Sequence, residues 1–168
     1  MSLLTILTYP EPILRKRARP VETIDGNIEK LVEDMADTMY AAPGIGLAAP
    51  QVGESLRIIT VDVTEEREGL IVLINPEIIS WEGECAGEEG CLSIPDFKEV
   101  IPRKKKVVIR GLDISGKEMK IPAEGILAIS FQHEIDHLDG MVIVDRISGL
   151  KRDLFKKKLK KKIAQQQL

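Results

Sequence analysis

A chain of 168 residues, 43% hydrophobic and 30% charged, has the length and composition of one soluble globular domain with a real core. No apolar run approaches the ~20 residues of a membrane span, Met1–Pro10 lacks the basic start and apolar core of a secretory signal, and two cysteines six apart, Cys85 and Cys91, are too few for a disulfide framework. These features predict a reducing, cytoplasmic setting, while the net charge of −3 hides a tail, Lys151–Leu168, of +7 on a body of −10.

Ser2 to Pro20 is punctuated by Pro10, Pro12 and Pro20 and reads as an extended arm, with one helical turn over Glu11–Arg15. Thr23 or Asp25 can cap a helix whose apolar positions, Ile28, Leu31, Val32, Met35 and Met39, follow a helical period and which ends before Pro43-Gly44. The segment Gly44-Ile45-Gly46-Leu47-Ala48-Ala49-Pro50-Gln51-Val52-Gly53 follows. Its small residues let backbone lie close to a ligand, and Gln51 is its one strong hydrogen-bonding side chain. A helix cap, turn and strand would use the same residues. No phosphate loop or dinucleotide fingerprint is present.

Leu56–Val63 and Leu70–Ile74 are rich in Val and Ile and read as strands joined by a charged turn, Thr64–Gly69. Asn75-Pro76 should break the second strand, Glu77–Trp81 should start another, and Gly83–Gly90 reads as an acidic, glycine-rich loop. Val107–Ile109 lies in a further strand, Lys117–Ile121 alternates like an edge strand, and Pro122 should end it. A helix is predicted from Glu124 to Leu138, with Gly140 as its stop. A basic helix follows from Lys151 to about Gln165, with Leu150, Leu154, Phe155, Leu159 and Ile163 at helical spacing.

The helix before Gly140 holds the chain's two histidines, His133 and His137, four residues apart and on one face. Glu134 sits on the flank, where it can reach a metal-bound water without binding the metal. This is the HExxH arrangement of metallohydrolases. The alternative is a pair of core histidines on an otherwise apolar helix, with Gln132, Asp136 and Asp139 as its polar edge. Two buried imidazoles are costly if charged and unpaired if neutral, and a metal removes that difficulty. Two histidines need a third protein ligand. Cys91 and Cys85 are both candidates, and the flexible Gly-Glu-Cys-Ala-Gly context of Cys85 favours Cys91. Cys91 as a small buried hydrophobe is the competing reading.

Three segments, GIGLAAPQ at 44–51, EGCLS at 89–93 and QHEIDH at 132–137, resemble in order and spacing the three signature motifs of the peptide deformylases. The resemblance covers nearly the whole chain. It implies an enzyme that removes the formyl group from formyl-methionine at the start of new polypeptides. It implies that Cys91, His133 and His137 hold one divalent metal, natively Fe2+, with zinc, nickel or cobalt able to substitute. Glu134 would move the proton, and the Gln51 amide and Leu92 N–H would stabilise the oxyanion. Ile45, Gly46, Glu89, Gly90 and Ile129 would bind the peptide, Ile129 with His133 lining the methionine pocket. Lys98 stands where many relatives have arginine. The basic tail would dock on the ribosome; a solvated surface helix packed by one apolar stripe is the competing reading of the same residues.

The rivals are a general HExxH metallopeptidase, whose third ligand normally lies downstream as Glu or His, and a ribosome-associated factor with a structural metal, which would need a fourth ligand. The expected fold is α+β: mostly antiparallel sheets around a central metal-binding helix, with N- and C-terminal helices packed outside. Residues 1–149 would form the catalytic domain, and 150–168 a basic helix belonging to the same domain.

Overall fold

The computed structural model describes residues 2–167, in which five strands form one antiparallel sheet in chain order: β1 (Gly46–Ala48), β2 (Ile58–Val61), β3 (Ile71–Cys91), β4 (Ile94–Leu112) and β5 (Glu118–Glu124). The α-helices among the described residues are α1 (Gly26–Ala41), α2 (Gly125–Leu138) and α3 (Gly149–Gln166). The expected α+β architecture is present. The proline-rich arm contains one 3₁₀ turn, Pro12–Arg15.

The Asp25 carboxylate caps α1 by accepting from the Ile28 N–H at 3.1 Å, satisfying a donor the first helical turn leaves free. Ile28, Val32, Met35 and Met39 then bury one face against Leu47, Ile58 and Ile74. Helix α2 is covered on most sides. Ala128, Phe131, Ile135 and Leu138 pack on Ile59, Val61, Leu73, Val107 and Ile109 of the sheet. Complete burial of Phe131 and Leu138 contributes roughly 2 kcal/mol each. Gly140 stops the helix with φ of 76°. A Cβ there would lie 2.7 Å from the Arg15 carbonyl oxygen, so glycine serves both the left-handed turn and the close approach.

Three sequence expectations are corrected in the sheet. Asn75-Pro76 bends β3 without ending it. Asn75 takes φ of 54°, the ladder shifts register between Ile74 and Glu77, and the Asn75 amide exchanges hydrogen bonds with the Val21 backbone at 2.8 and 2.9 Å. Gly83–Gly90 is strand, paired with β4 in a long hairpin that sets Glu84 opposite Lys104 and Cys85 opposite Arg103. Its glycines and acids resemble a loop in composition, but a basic partner strand supplies the pairing that local propensity does not. Pro122 also lies inside β5, opposite Val108. As the last strand of the sheet, β5 tolerates a residue without an N–H.

Helix α3 is capped by Ser148, whose hydroxyl accepts from the Lys151 N–H at 3.2 Å. It packs mainly through Phe155, whose ring lies 4.7 Å from Phe97 and 5.8 Å from Tyr9. Leu150 and Leu154, expected on the packed stripe, are 72% and 52% exposed.

Candidate metal centre

Two elements bring the donors together. The buried face of α2 projects His133, Glu134 and His137, and the end of the β3–β4 hairpin carries Cys91 over them. One donor atom from each of Cys91, His133 and His137 lies within 4.8 Å of the others. Cys91 Sγ is 3.3 Å from His137 Nε2. The second cysteine, Cys85, lies up the hairpin opposite Arg103. A sulfur and two imidazole nitrogens suit a first-row transition metal.

The surroundings fit a cation. His133 donates from Nδ1 to Glu89 Oε1 at 3.0 Å, which fixes the ring and leaves Nε2 for the centre. Burial acts against the charged form of both imidazoles and lowers the pKa of His137, with the neighbouring His133 and Arg103 adding to it. For His133, the facing charge of Glu134 and the hydrogen bonds of Cys91 and Glu89 outweigh burial and raise its pKa. Burial pushes the Glu134 carboxyl up to about 7. Its Oε1 is buried without a protein partner, which leaves it free to accept a hydrogen bond from a bound molecule.

Residues the sequence did not single out hold this arrangement. Arg103, 4% exposed, donates from Nε and Nη2 to Glu89 at 2.9 and 2.8 Å, and from Nη1 to Asp136 at 2.6 Å. Burial raises the Glu89 pKa, but hydrogen bonds from Arg103 and His133 outweigh it and keep the group ionised below its ordinary value. Asp136 also receives Arg146 at 2.6 and 2.7 Å. The Gln132 amide pairs with the Lys104 backbone at 2.8 and 2.9 Å. Gln132 and Asp136, expected on an outer polar edge, are buried and tie α2 to its neighbours. Ser93, fully buried, receives the Gln51 Nε2–H at 3.0 Å. Gln51 Oε1 accepts from the Ala48 N–H at 2.9 Å, which turns the amide donors toward Ser93 and Cys91.

The centre lies at the foot of an open groove of about 1130 Å³. Ile45, Gly46, Gln51, Glu89, Gly90, Leu92, Lys98 and Ile129, all named from the sequence, line it with Cys91, His133 and Glu134. Gly46 is required by contact: a Cβ there would lie 2.4 Å from Glu134 Oε2. Ile45 C=O accepts from Asp62 N–H at 2.9 Å. By the alternation of an antiparallel ladder, Gly46 therefore turns its N–H and C=O to the open edge.

A cysteine sulfur and two imidazoles below an open groove, with a buried carboxylate beside them, define a metal-dependent hydrolase. The family profile described as Polypeptide deformylase matches residues 3–153. A peptide deformylase of Syntrophobacter fumaroxidans is 54% identical over 165 residues, covering 97% of each chain. The crystal structure of a peptide deformylase from Legionella pneumophila superposes with a TM-score of 0.92 at 47% identity, covering 98% of each chain. That of Ehrlichia chaffeensis in complex with actinonin gives 0.91 at 43% identity, covering 96% of this chain and 98% of that one. The chain belongs to the polypeptide deformylase family. It is a metal-dependent enzyme that removes the N-formyl group from nascent peptides, and the metallopeptidase and structural-metal alternatives find no support.

Gly46→Ala should lower formate release at least about 10-fold by displacing the Glu134 carboxylate from its place beside the metal donors, while metal content stays at the wild-type value. Wild-type activity in this variant would show that the contact is unimportant.

Proposed function

We propose that the reaction runs at Cys91, His133 and His137 with one Fe2+ ion held between them. The observation that carries this is the convergence of their donor atoms beside buried Glu134. Zinc, nickel and cobalt suit the same donors. A divalent ion bound there supplies Lewis acidity to the formyl oxygen and lowers the pKa of a coordinated water.

The chain's own groups do the rest. Glu134 Oε1 takes the proton that the attacking water loses and passes it to the amide nitrogen as the C–N bond breaks, so formate and a free amine leave. The Gln51 Nε2–H and the Leu92 backbone N–H stabilise the oxygen that gains charge. The open edge at Ile45 and Gly46 receives the peptide as an added strand, facing Glu89 and Gly90 across the groove. Ile129 lines the apolar part that takes the methionine side chain. Glu89 also holds the His133 ring.

Anaerobically purified protein should release formate from formyl-Met-Ala-Ser. Glu134→Ala should keep one metal per chain and lose about 10²-fold or more in rate. Cys91→Ser should lose the metal and Cys85→Ser should keep it. Full activity in Glu134→Ala, or the reverse pattern in the two serine variants, would contradict these assignments.

The setting we infer is the cytoplasm; no helix among the described residues is long and apolar enough to cross a membrane. We place α3 in the same domain as residues 1–149, supported by Phe155 in the cluster with Ile94, Ile101 and Val144. Its exposed lysines, Lys156, Lys157, Lys160 and Lys161, would meet an anionic ribosomal RNA surface. Truncation after Gly149 would remove Phe155 from that cluster, so charge reversal is the cleaner test. Changing these four lysines to glutamate should weaken cosedimentation with ribosomes and leave activity on short formyl peptides within two-fold. Ribosome binding that survives both charge reversal and high salt would defeat the docking idea.

A further inference from the structure

The β1–β2 ladder runs only from Gly46 opposite Val61 to Ala48 opposite Ile59. The groove wall extends further, through Pro43, Gly44 and Ile45. The Gly44 N–H donates to the Met39 carbonyl at the end of α1 at 2.7 Å, and the carbonyls of Gly44 and Ile45 are held from the turn between β2 and β3. Asp62 N–H donates to Ile45 C=O at 2.9 Å, and Arg67 Nη2 donates to the Gly44 carbonyl. Arg67 Nη1 donates to Asp62 C=O at 3.1 Å. One planar guanidinium thus bridges the carbonyls of the groove wall and of the adjoining strand end.

The turn is built to aim that guanidinium. It lies over the Tyr40 ring, 4.8 Å from the ring centre. Tyr40 OH donates to Asp62 Oδ2 at 2.6 Å. The same carboxylate accepts from the Thr64 N–H at 2.9 Å, the Thr64 hydroxyl at 2.6 Å and the Gly69 N–H at 3.1 Å. Burial acts to raise the Asp62 pKa, but these hydrogen bonds overcome it and hold the group at about 2, so the carboxylate stays charged at any working pH. Arg67 has φ of 59°, a left-handed conformation unfavourable for a side-chain-bearing residue and one that the surrounding bonds impose. On the other side, Gly44 packs so closely on Leu92 that a Cβ would lie 2.7 Å from Leu92 Cδ1. The clamped segment therefore touches both the open edge at Gly46 and a residue of the proposed oxyanion site.

We propose that Arg67 is a positioning residue for peptide binding: it extends the anchorage of the docking strand past the end of its ladder and fixes Gly44–Gly46 before the peptide arrives. It touches neither the reacting atoms nor the metal ligands. This rests on the docking of the peptide along β1 proposed above. A preset strand spares the complex an ordering cost, so its loss falls on binding and leaves the chemical step alone. Lysine can reach one carbonyl but cannot bridge two or stack as a plane.

The test compares wild type, Arg67→Ala and Arg67→Lys on formyl-Met-Ala-Ser and on the same peptide with its Met-Ala amide N-methylated, together with segment-resolved hydrogen exchange. Expected for Arg67→Ala is a KM about 10-fold higher for the unmodified peptide, kcat within two-fold, unchanged metal content, and faster exchange at 44–46 with α2 unaltered. Arg67→Lys should recover part of the KM. The N-methyl group should raise KM in wild type and raise it less in Arg67→Ala. An unchanged KM in Arg67→Ala, while wild type still discriminates against the N-methyl peptide, would overturn the role of Arg67 alone. Indifference of wild type to N-methylation would overturn strand docking and this proposal with it. A parallel loss of kcat and folded fraction in Arg67→Ala would reduce the clamp to a stabilising contact and also refute it.

Discussion

The site depends on one buried guanidinium. Arg103 lies between Glu89 on β3 and Asp136 on α2, bonded to both and nearly inaccessible. Such a cation is expensive to bury and is stable there because two carboxylates meet its planar fork. The consequence is geometric. β3 and α2 come from distant parts of the chain, and Arg103 joins them where Glu89 stands two residues before Cys91 and Asp136 one residue before His137. The thiol and the imidazoles are thereby brought to one place. Glu89 then passes the constraint on by accepting from His133, and Arg146 closes the other side of Asp136.

Close packing of backbone against functional side chains is the second constraint. Gly46 lies against Glu134 and Gly44 against Leu92, so the groove wall touches both the buried carboxylate and the opposite rim. A wall this near the chemistry must be small, and a wall that receives the peptide must be still. Glycine supplies the smallness, and the turn from Asp62 to Gly69 supplies the hydrogen bonds that hold it in place. Gln51 works in the same way, with its carbonyl oxygen satisfied by Ala48 and its amide donors thereby directed toward Ser93 and Cys91.

Much of the site was legible in the sequence because its donors sit in short contiguous motifs. His133 and His137 share a helical face by spacing alone, with Glu134 on its flank, and Gly140 marked the helix end correctly. Arg103 was not legible. It opens a run of four basic residues, and nothing local distinguishes it from Lys104, Lys105 and Lys106; only the fold shows which one meets two buried carboxylates. Asp136 was read as a polar edge for the same reason, since its partners lie 33 and 10 positions away. The hairpin at Gly83–Gly90 was misread because local composition argued for a loop, while a long-range partner strand decided the outcome. Arg67 lay in an apparently ordinary charged turn, and its bond to Gly44 spans 23 positions.

The most direct test of this account is the metal affinity of Arg103→Lys, measured by competition with a chelator on protein whose fold is verified by circular dichroism. Lysine keeps the charge and about the same reach but cannot hold both carboxylates in one plane. Affinity should fall by about 10- to 100-fold, as expected when the groups that orient a ligand are disturbed. A folded Arg103→Lys protein with wild-type affinity would show that Cys91, His133 and His137 are assembled by other forces, and that the buried guanidinium is not what the site depends on.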